Sequence, residues 1–277
     1  GQRLVGKLLD RDPDTRFTFL IQDSMRGVAD AAIKGMERPY PGFIESTTVV
    51  TGDISKRRLG LSKDAYQAVC AETTHVWHLA AVYNLAIPQS VAYRVNVVGT
   101  ANILDLCEQS HRLQRHDYVS TCFVAGDRTG RVTEAELDKG QGFKNHYEST
   151  KCWAELEVRR RMDRIPTAIH RPAVVVGDSR TGETDKYDGP YSMITFLNKL
   201  PTWLPFVYIG PCKAPTQPGA CGLPGGRHGR DLDPEGCPGQ DLPPGGSAPP
   251  HLWRDAEKDP VGPGPRGAHG HGAAQAR

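Results

Sequence analysis

The chain has 277 residues, 38% of them apolar, and a formal net charge of +2. That length carries one large α/β domain or two small ones, and so weak a charge gives no reason to expect nucleic acid or an anionic membrane as partner. No apolar run reaches the roughly 18–20 residues of a bilayer-spanning helix, no charged-then-apolar leader opens the chain, and seven scattered cysteines without a C-x-x-C pair fit a reducing, cytoplasmic setting.

Leu4, Val5, Leu8 and Leu9 recur at helical spacing, and Asp12-Pro13-Asp14 breaks that helix. Phe17 to Ile21 is a short buried strand, and Thr48 to Val50 is a second, ending at Gly52-Asp53. Ser62 is placed to cap a helix reaching about Glu72. His75 to Leu79 is again strand-like. A longer helix follows, with Val91, Val95, Val98, Asn102 and Leu106 along one side, and Tyr118-Val119-Ser120 ends the next strand. Asn145 to about Met162 is helical, and Ala168-Ile169 and Ala173 to Val176 are extended segments around Arg171-Pro172. Strands separated by helices of this length predict a parallel sheet with helices on both faces. Ligands then bind at the carboxyl ends of the strands.

The composition changes near residue 212. Residues 213–277 hold 14 Gly and 12 Pro among 65 residues, with no Ile, Phe, Tyr or Met. Such a stretch buries too little apolar surface to offset its conformational entropy, so residues 212–277 are expected to be a disordered tail beside a domain over 1–211. Two origins stand open for it: a Gly/Pro-rich linker arm, or a GC-rich stretch read out of frame. Cys212, Cys221, Cys237 and His228 fit no zinc spacing, so no metal is expected.

The polar residues at the strand ends carry the chemistry. Tyr147 and Lys151 stand four apart on one predicted helix and so share a face. Reducing a carbonyl by hydride requires a proton donor for the developing alkoxide. A tyrosine can serve, although lowering its pKa from about 10 toward 7 takes about 4 kcal/mol of preferential phenolate stabilisation, which a nearby ammonium supplies. Ser120 and Thr121, at the mouth of the sheet, offer a hydroxyl to hold the substrate oxygen.

Tyr147-Glu148-Ser149-Thr150-Lys151 resembles the Y-x-x-x-K signature of the short-chain dehydrogenases/reductases, and Tyr118 to Gly126 resembles the active-site strand of their extended branch. The resemblance covers about residues 1–211 and implies a Rossmann-like doubly wound parallel sheet. It implies Thr121, with Ser120 as runner-up, Tyr147 and Lys151 as catalytic residues. It further implies that Gly52-Asp53-Ile54 holds the adenine, with Asp53 and Ile54 as contacts, and that His78-Leu79-Ala80-Ala81 turns over the nicotinamide ribose, with Leu79, Ala80 and Ala81 as contacts. Asn96 is a structural asparagine of that branch, Arg171-Pro172 closes on the nicotinamide through Pro172, and Tyr147 and Lys151 also touch the cofactor. Val175 to Gly182 and Asp188-Gly189-Pro190-Tyr191 resemble the fatty acyl and thioester reductase-like group, which implies NAD(P)H and a small carbonyl or acyl-thioester substrate. Sugar-nucleotide epimerases and dehydratases share the earlier motifs, and an inactive remnant is the reading of a different class.

The family opens with a strand and a G-x-x-G-x-x-G turn that receives the pyrophosphate. This chain starts inside the first helix, Gly1 matching the last of those glycines, so the resemblance implies an incomplete sheet. Gln22, Asp23 and Arg26 all lie at the end of the second family strand, where an acid favours NAD and an arginine NADP. The family leans slightly to NADP. Neither substrate identity nor oligomeric state is legible.

Overall fold

The computed structural model describes residues 1–83, 86–184, 187, 189–201 and 219–221. All fall within one compact unit, Gly1–Gln240. Helix α1 (Gln2–Arg11) leads into β1 (Phe17–Ile21), α2 (Arg26–Glu37), β2 (Thr47–Thr51), α3 (Lys63–Glu72) and β3 (His75–His78). Next come α4 (Gln89–Tyr93), a π-helical turn (Arg94–Val98), α5 (Gly99–Gln109), β4 (Arg115–Val119), α6 (His146–Arg159), β5 (Thr167–His170), β6 (Val175–Asp178), α7 (Pro190–Lys199) and β7 (Gly219–Cys221).

Every strand pair is parallel, as expected for strands joined through helices. The sheet comes in pieces: β1 pairs with β2, β3-β4-β5 form a second sheet, and β6 pairs with β7. Among the described residues β1 and β3 thus each pair on one side only. The Rossmann-like α/β plan is present but interrupted. Three residues of the Gly/Pro-rich region, Gly219–Cys221, pair with β6. Residues 202–218 and 222–277, including the Phe206–Pro211 stretch and most of the predicted tail, lie outside the described residues, as does Asp188.

Local signals explain the starts of two helices. Ser62 Oγ accepts from Ala65 N–H at 3.2 Å to cap α3, and Asn145 Oδ1 accepts from Glu148 N–H at 3.0 Å to cap α6. Two expectations need correction. Helix α2 was not foreseen, although Ala29, Ala32, Ile33 and Met36 form a part-buried face at helical spacing. The long helix is not uniform, because the π-helical turn inserts an extra residue per turn and rotates the buried face. The side that packs runs through Ala92, Asn96, Thr100, Leu104 and Cys107, while Val91 is exposed and Val95 and Val98 are only partly buried.

The main core joins Leu104, Ile103 and Leu106 of α5, Tyr118 of β4, Ala154 and Val158 of α6, Tyr66 of α3 and Ile165. Leu20 of β1 packs against it only in part. No helix among the described residues is long and apolar enough to cross a membrane.

Candidate functional site

Two strand ends and one helix build the site. Beyond β4, Ser120 N–H donates to His170 carbonyl at 2.7 Å and Cys122 N–H to Pro172 carbonyl at 3.0 Å, so the backbone of Arg171-Pro172 runs alongside Thr121. Thr121 caps a short 3₁₀ turn, Cys122–Ala125, accepting from Phe123 N–H at 3.3 Å. The turn closes at Gly126, whose φ of 61° and approach to Gly142 carbonyl leave no room for a side chain: a Cβ would stand 2.3 Å from that oxygen.

Helix α6 brings Tyr147 and Lys151 to this strand end. Tyr147 is half-buried, lies beside the Thr121 hydroxyl, and faces Tyr83 edge-on at 6.4 Å between ring centroids. Burial raises the Tyr147 phenol above its ordinary pKa, and the Thr121 hydroxyl offsets only part of that. Lys151 is buried and donates to Val119 carbonyl at 2.8 Å, its ammonium 4.4 Å from the Tyr118 ring centroid. Burial pulls Lys151 down to about 8, against the upward pull of Glu155. The ammonium is thus lodged on the strand end rather than on the phenol itself. Ser120, the runner-up hydroxyl, donates to Glu155 Oε2 at 2.6 Å and is spoken for. Thr121 is the hydroxyl beside Tyr147.

The turn after β3 is held from below. Asn96 is buried; its Oδ1 accepts from Val82 N–H at 2.8 Å and its Nδ2 donates to Val82 carbonyl and Thr150 Oγ1, both at 3.0 Å. This clamps the exposed Leu79-Ala80-Ala81 backbone to α6, beside Tyr147. His78 is buried against Thr100 Oγ1 at 3.0 Å, and burial holds its ring well below the usual imidazole range, so its contribution is packing.

At the ends of β1 and β2 lies a cleft of about 440 Å³, lined by Gln22, Asp23, Ser24, Thr51, Gly52, Asp53, Lys56 and Gly60. Gln22, Asp23 and Asp53 were expected as contacts and Gly52 as part of the same segment; Ser24, Thr51, Lys56 and Gly60 were not. Two positions expected here stand apart from the lining. Arg26 is paired with Asp30 at 3.0 Å on α2. Ile54 turns its side chain into the core against Gly99 and gives its carbonyl to Asn102. Gly1 is the exposed N-cap of α1, its carbonyl accepting from Leu4 and Val5 N–H.

The cleft wall is a tight loop. Asp53 N–H donates to Leu59 carbonyl at 2.8 Å, and Arg58 and Leu59 both take left-handed conformations, φ 53° and 59°. Each such residue costs roughly 1–2 kcal/mol; burial of Leu59, on the order of 1.5–3 kcal/mol, offsets it. A Cβ at Gly52 would come within 2.5 Å of Leu59 carbonyl, so glycine is needed where the loop crosses the strand end. The cleft, with an acid and a glycine floor at parallel strand ends, fits the adenosine half of a dinucleotide. Among the described residues no group of three or more His, Cys, Asp or Glu is arranged to hold a metal.

Comparison with known proteins agrees with this geometry. The family model described as male sterility protein, an NAD-binding domain, matches residues 1–205. The chain belongs to that family. It is 26% identical over 194 residues to the fatty acyl-CoA reductase wat of Drosophila melanogaster, covering 60% of this chain and 37% of the fly protein. It superposes on the terminal reductase domain of the myxalamid biosynthetic pathway with a TM-score of 0.59 and 27% identity, covering 67% of this chain and 49% of that one. A dTDP-glucose 4,6-dehydratase of Streptomyces venezuelae, solved with NAD bound, shares the fold at a TM-score of 0.52 and 19% identity, covering 72% of this chain and 58% of that one. The chain spans well under two thirds of the length of the curated relatives it matches.

Proposed function

We propose that this chain is the dinucleotide-binding and catalytic part of an NAD(P)-dependent reductase that acts on an acyl thioester or the aldehyde derived from it. The observation that carries the reading is the Thr121 hydroxyl beside the Tyr147 phenol at the end of β4, with Lys151 one turn further along α6 and bonded to the Val119 carbonyl of the same strand end. A nicotinamide dinucleotide held at the strand ends by residues such as Asp53 and the turn after β3 would supply hydride to the carbonyl carbon. Tyr147, kept protonated by burial, gives its proton to the oxygen as negative charge develops there. Thr121 orients that oxygen. Lys151, buried within the same helix face, favours the phenolate left behind. The exposed Tyr83, edge-on to Tyr147, and the exposed Phe123, whose N–H bonds Thr121, present apolar surface to an acyl chain.

Gln22, Asp23, Asp53 and Lys56 would hold the adenosine half. NADP is the preferred form in this reading, because Lys56 lines the same cleft as Asp23 and two further cations, Arg57 and Arg58, follow it in exposed positions. A cytoplasmic setting goes with the proposal, supported by the buried free thiols Cys70, Cys107 and Cys152. The test is NADPH oxidation with a short acyl thioester and with the matching aldehyde, read by nicotinamide absorbance and by product trapping. Thioester- or aldehyde-dependent oxidation is expected. Oxidation with a nucleotide sugar and none with either acyl substrate would overturn the reading.

A further inference from the structure

Beneath the site lies a carboxylate that the chemistry above does not use. Glu155 on α6 is 0% exposed. It accepts four sets of bonds: from Ser120 Oγ at 2.6 Å, from Arg171 Nε at 3.0 Å, from Arg171 Nη2 at 2.6 Å, and from Arg159 Nε at 3.0 Å. Burial alone would raise its carboxyl pKa, but Arg171 and Ser120 outweigh burial and hold it below the usual range, so it is an anion in the core. An ion so placed is tolerated only when its partners satisfy it. Both arginines reach onward to carbonyls of one loop, Arg171 to Glu136 at 2.9 Å and Arg159 to Glu134 at 2.6 Å and Ala135 at 3.0 Å.

The geometry also locks α6 to the catalytic strand end. Lys151 grips the carbonyl of Val119, and Glu155, one turn later, grips the side chain of Ser120. Adjacent strand residues are thus held by helix residues four apart, fixing the register in which Thr121 meets Tyr147. Arg171, on the other arm of the carboxylate, precedes Pro172, whose carbonyl bonds Cys122.

We propose that Glu155 is the positioning residue of this site: its carboxylate ties Ser120, Arg159 and Arg171 into one unit that sets the strand end against α6 and keeps Lys151 charged beside Tyr147. The inference rests on the reading that Tyr147 and Lys151 perform the chemistry. The groups that meet Lys151 are Tyr118 of β4, beneath its ammonium, Glu155 one turn along α6 and His78 of β3, with Arg171 and Arg159 beyond Glu155. Of these Glu155 is the one anion. Two cations otherwise surround Lys151's neighbour, so neutralising Glu155 leaves Lys151 facing uncompensated positive charge.

The experiment is a pH titration of Lys151 by NMR in the full chain with isotope-labelled lysine, the signal assigned by its loss in Lys151→Met. Glu155→Gln should move the Lys151 midpoint down by about one pH unit, Arg171→Gln should move it up, and Glu155→Asp should return it close to the parent value. In turnover, the loss of activity on the alkaline side should begin at lower pH in Glu155→Gln. An unchanged midpoint in folded Glu155→Gln, or movement of both variants in one direction, overturns the inference. Should Glu155→Gln unfold, with its lysine signal at the free-chain value, Arg171→Gln and Glu155→Asp decide: a raised midpoint in the first and a parental one in the second uphold it, and any other pair overturns it. The titration needs no turnover, so a parent chain that reduces no acyl substrate sinks the proposed function and leaves the Lys151 result to stand by itself.

Discussion

The β1–β2 pair and the β3–β4–β5 sheet are built from the same kind of unit and are packed differently. No residue of β1 or β2 is fully buried, and α2, which connects them, buries none. Their apolar contacts are mostly local, with Phe17, Phe19 and Phe43 forming a small aromatic cluster. In β4, by contrast, His116, Asp117 and Tyr118 are at most 1% exposed, and α5 and α6 cover them with Leu104, Ala154 and Val158. The candidate chemistry sits on the well-packed half and the adenosine cleft on the loosely packed one. Catalytic groups need fixed rotamers and low dielectric, whereas a nucleotide can contribute ordering energy of its own on binding.

The largest expected effect tests where the chemistry lies. Tyr147→Phe removes the proton donor and keeps the ring, so turnover should fall about a thousandfold with the Tm nearly unchanged. Steady-state kinetics beside a thermal melt checks this. Turnover within threefold of the parent would move the chemistry away from β4 and erase the contrast.

Packing comes next. Leu104→Ala should cost about 2–5 kcal/mol, since Leu104 is fully buried at the centre of the core. Val49→Ala in β2 should cost less, about 1 kcal/mol, because Val49 is only partly buried. Denaturant melts of both variants measure the difference, and amide exchange should show β1 and β2 opening before β4. Equal costs would mean the two halves form one cooperative core.

Acid should act through the packed half. Burial pulls His116 down to about 4 from the ordinary 6.5, and His78 is shifted the same way. The unfolded chain therefore takes up these protons first, and stability falls as the pH drops from 6.5 toward 4. For His116 the loss is on the order of 3 kcal/mol. His116→Leu should flatten the acid limb of stability against pH; an unaltered limb would place the acid sensitivity elsewhere.

Sequence legibility follows the same divide. Ser62 announced its helix because capping is local chemistry, and spacing put Tyr147 and Lys151 on one helix face, whereas the preference for Thr121 over Ser120 came with the family resemblance. Helix α2 was overlooked although Ala29, Ala32, Ile33 and Met36 repeat at helical spacing, because that face is built mostly of small alanines and no side chain caps its start. The π-helical turn was invisible because one inserted residue leaves composition untouched while rotating the buried face to Asn96 and Thr100. Glu155 reads in sequence as a solvated helix charge. Its partners Ser120 and Arg171 lie 35 and 16 residues away and meet it only in the fold. Lys56 was missed for a related reason: the left-handed pair Arg58–Leu59, which folds its loop back on the cleft, has no glycine to mark it before Gly60.

The smallest expected effect separates two cations on the loosely packed half. Arg26 was the arginine expected to favour NADP, but it lies outside the cleft lining and is half-exposed in an i, i+4 pair with Asp30. Such a pair is worth about 0.3–0.5 kcal/mol, so Arg26→Ala should leave the Tm and the NADPH affinity within about twofold. Lys56 lines the cleft itself, and a charge-assisted bond from it to a ribose phosphate is worth about 1.5–3 kcal/mol. Lys56→Ala should therefore weaken NADPH roughly tenfold or more and leave NADH nearly unchanged, as calorimetric titration with each dinucleotide would read. Equal losses for both would mean that Lys56 shapes the loop and does not read the phosphate. A loss on Arg26→Ala alone would return the selectivity to the end of β1, with α2 turning toward the nucleotide as it binds.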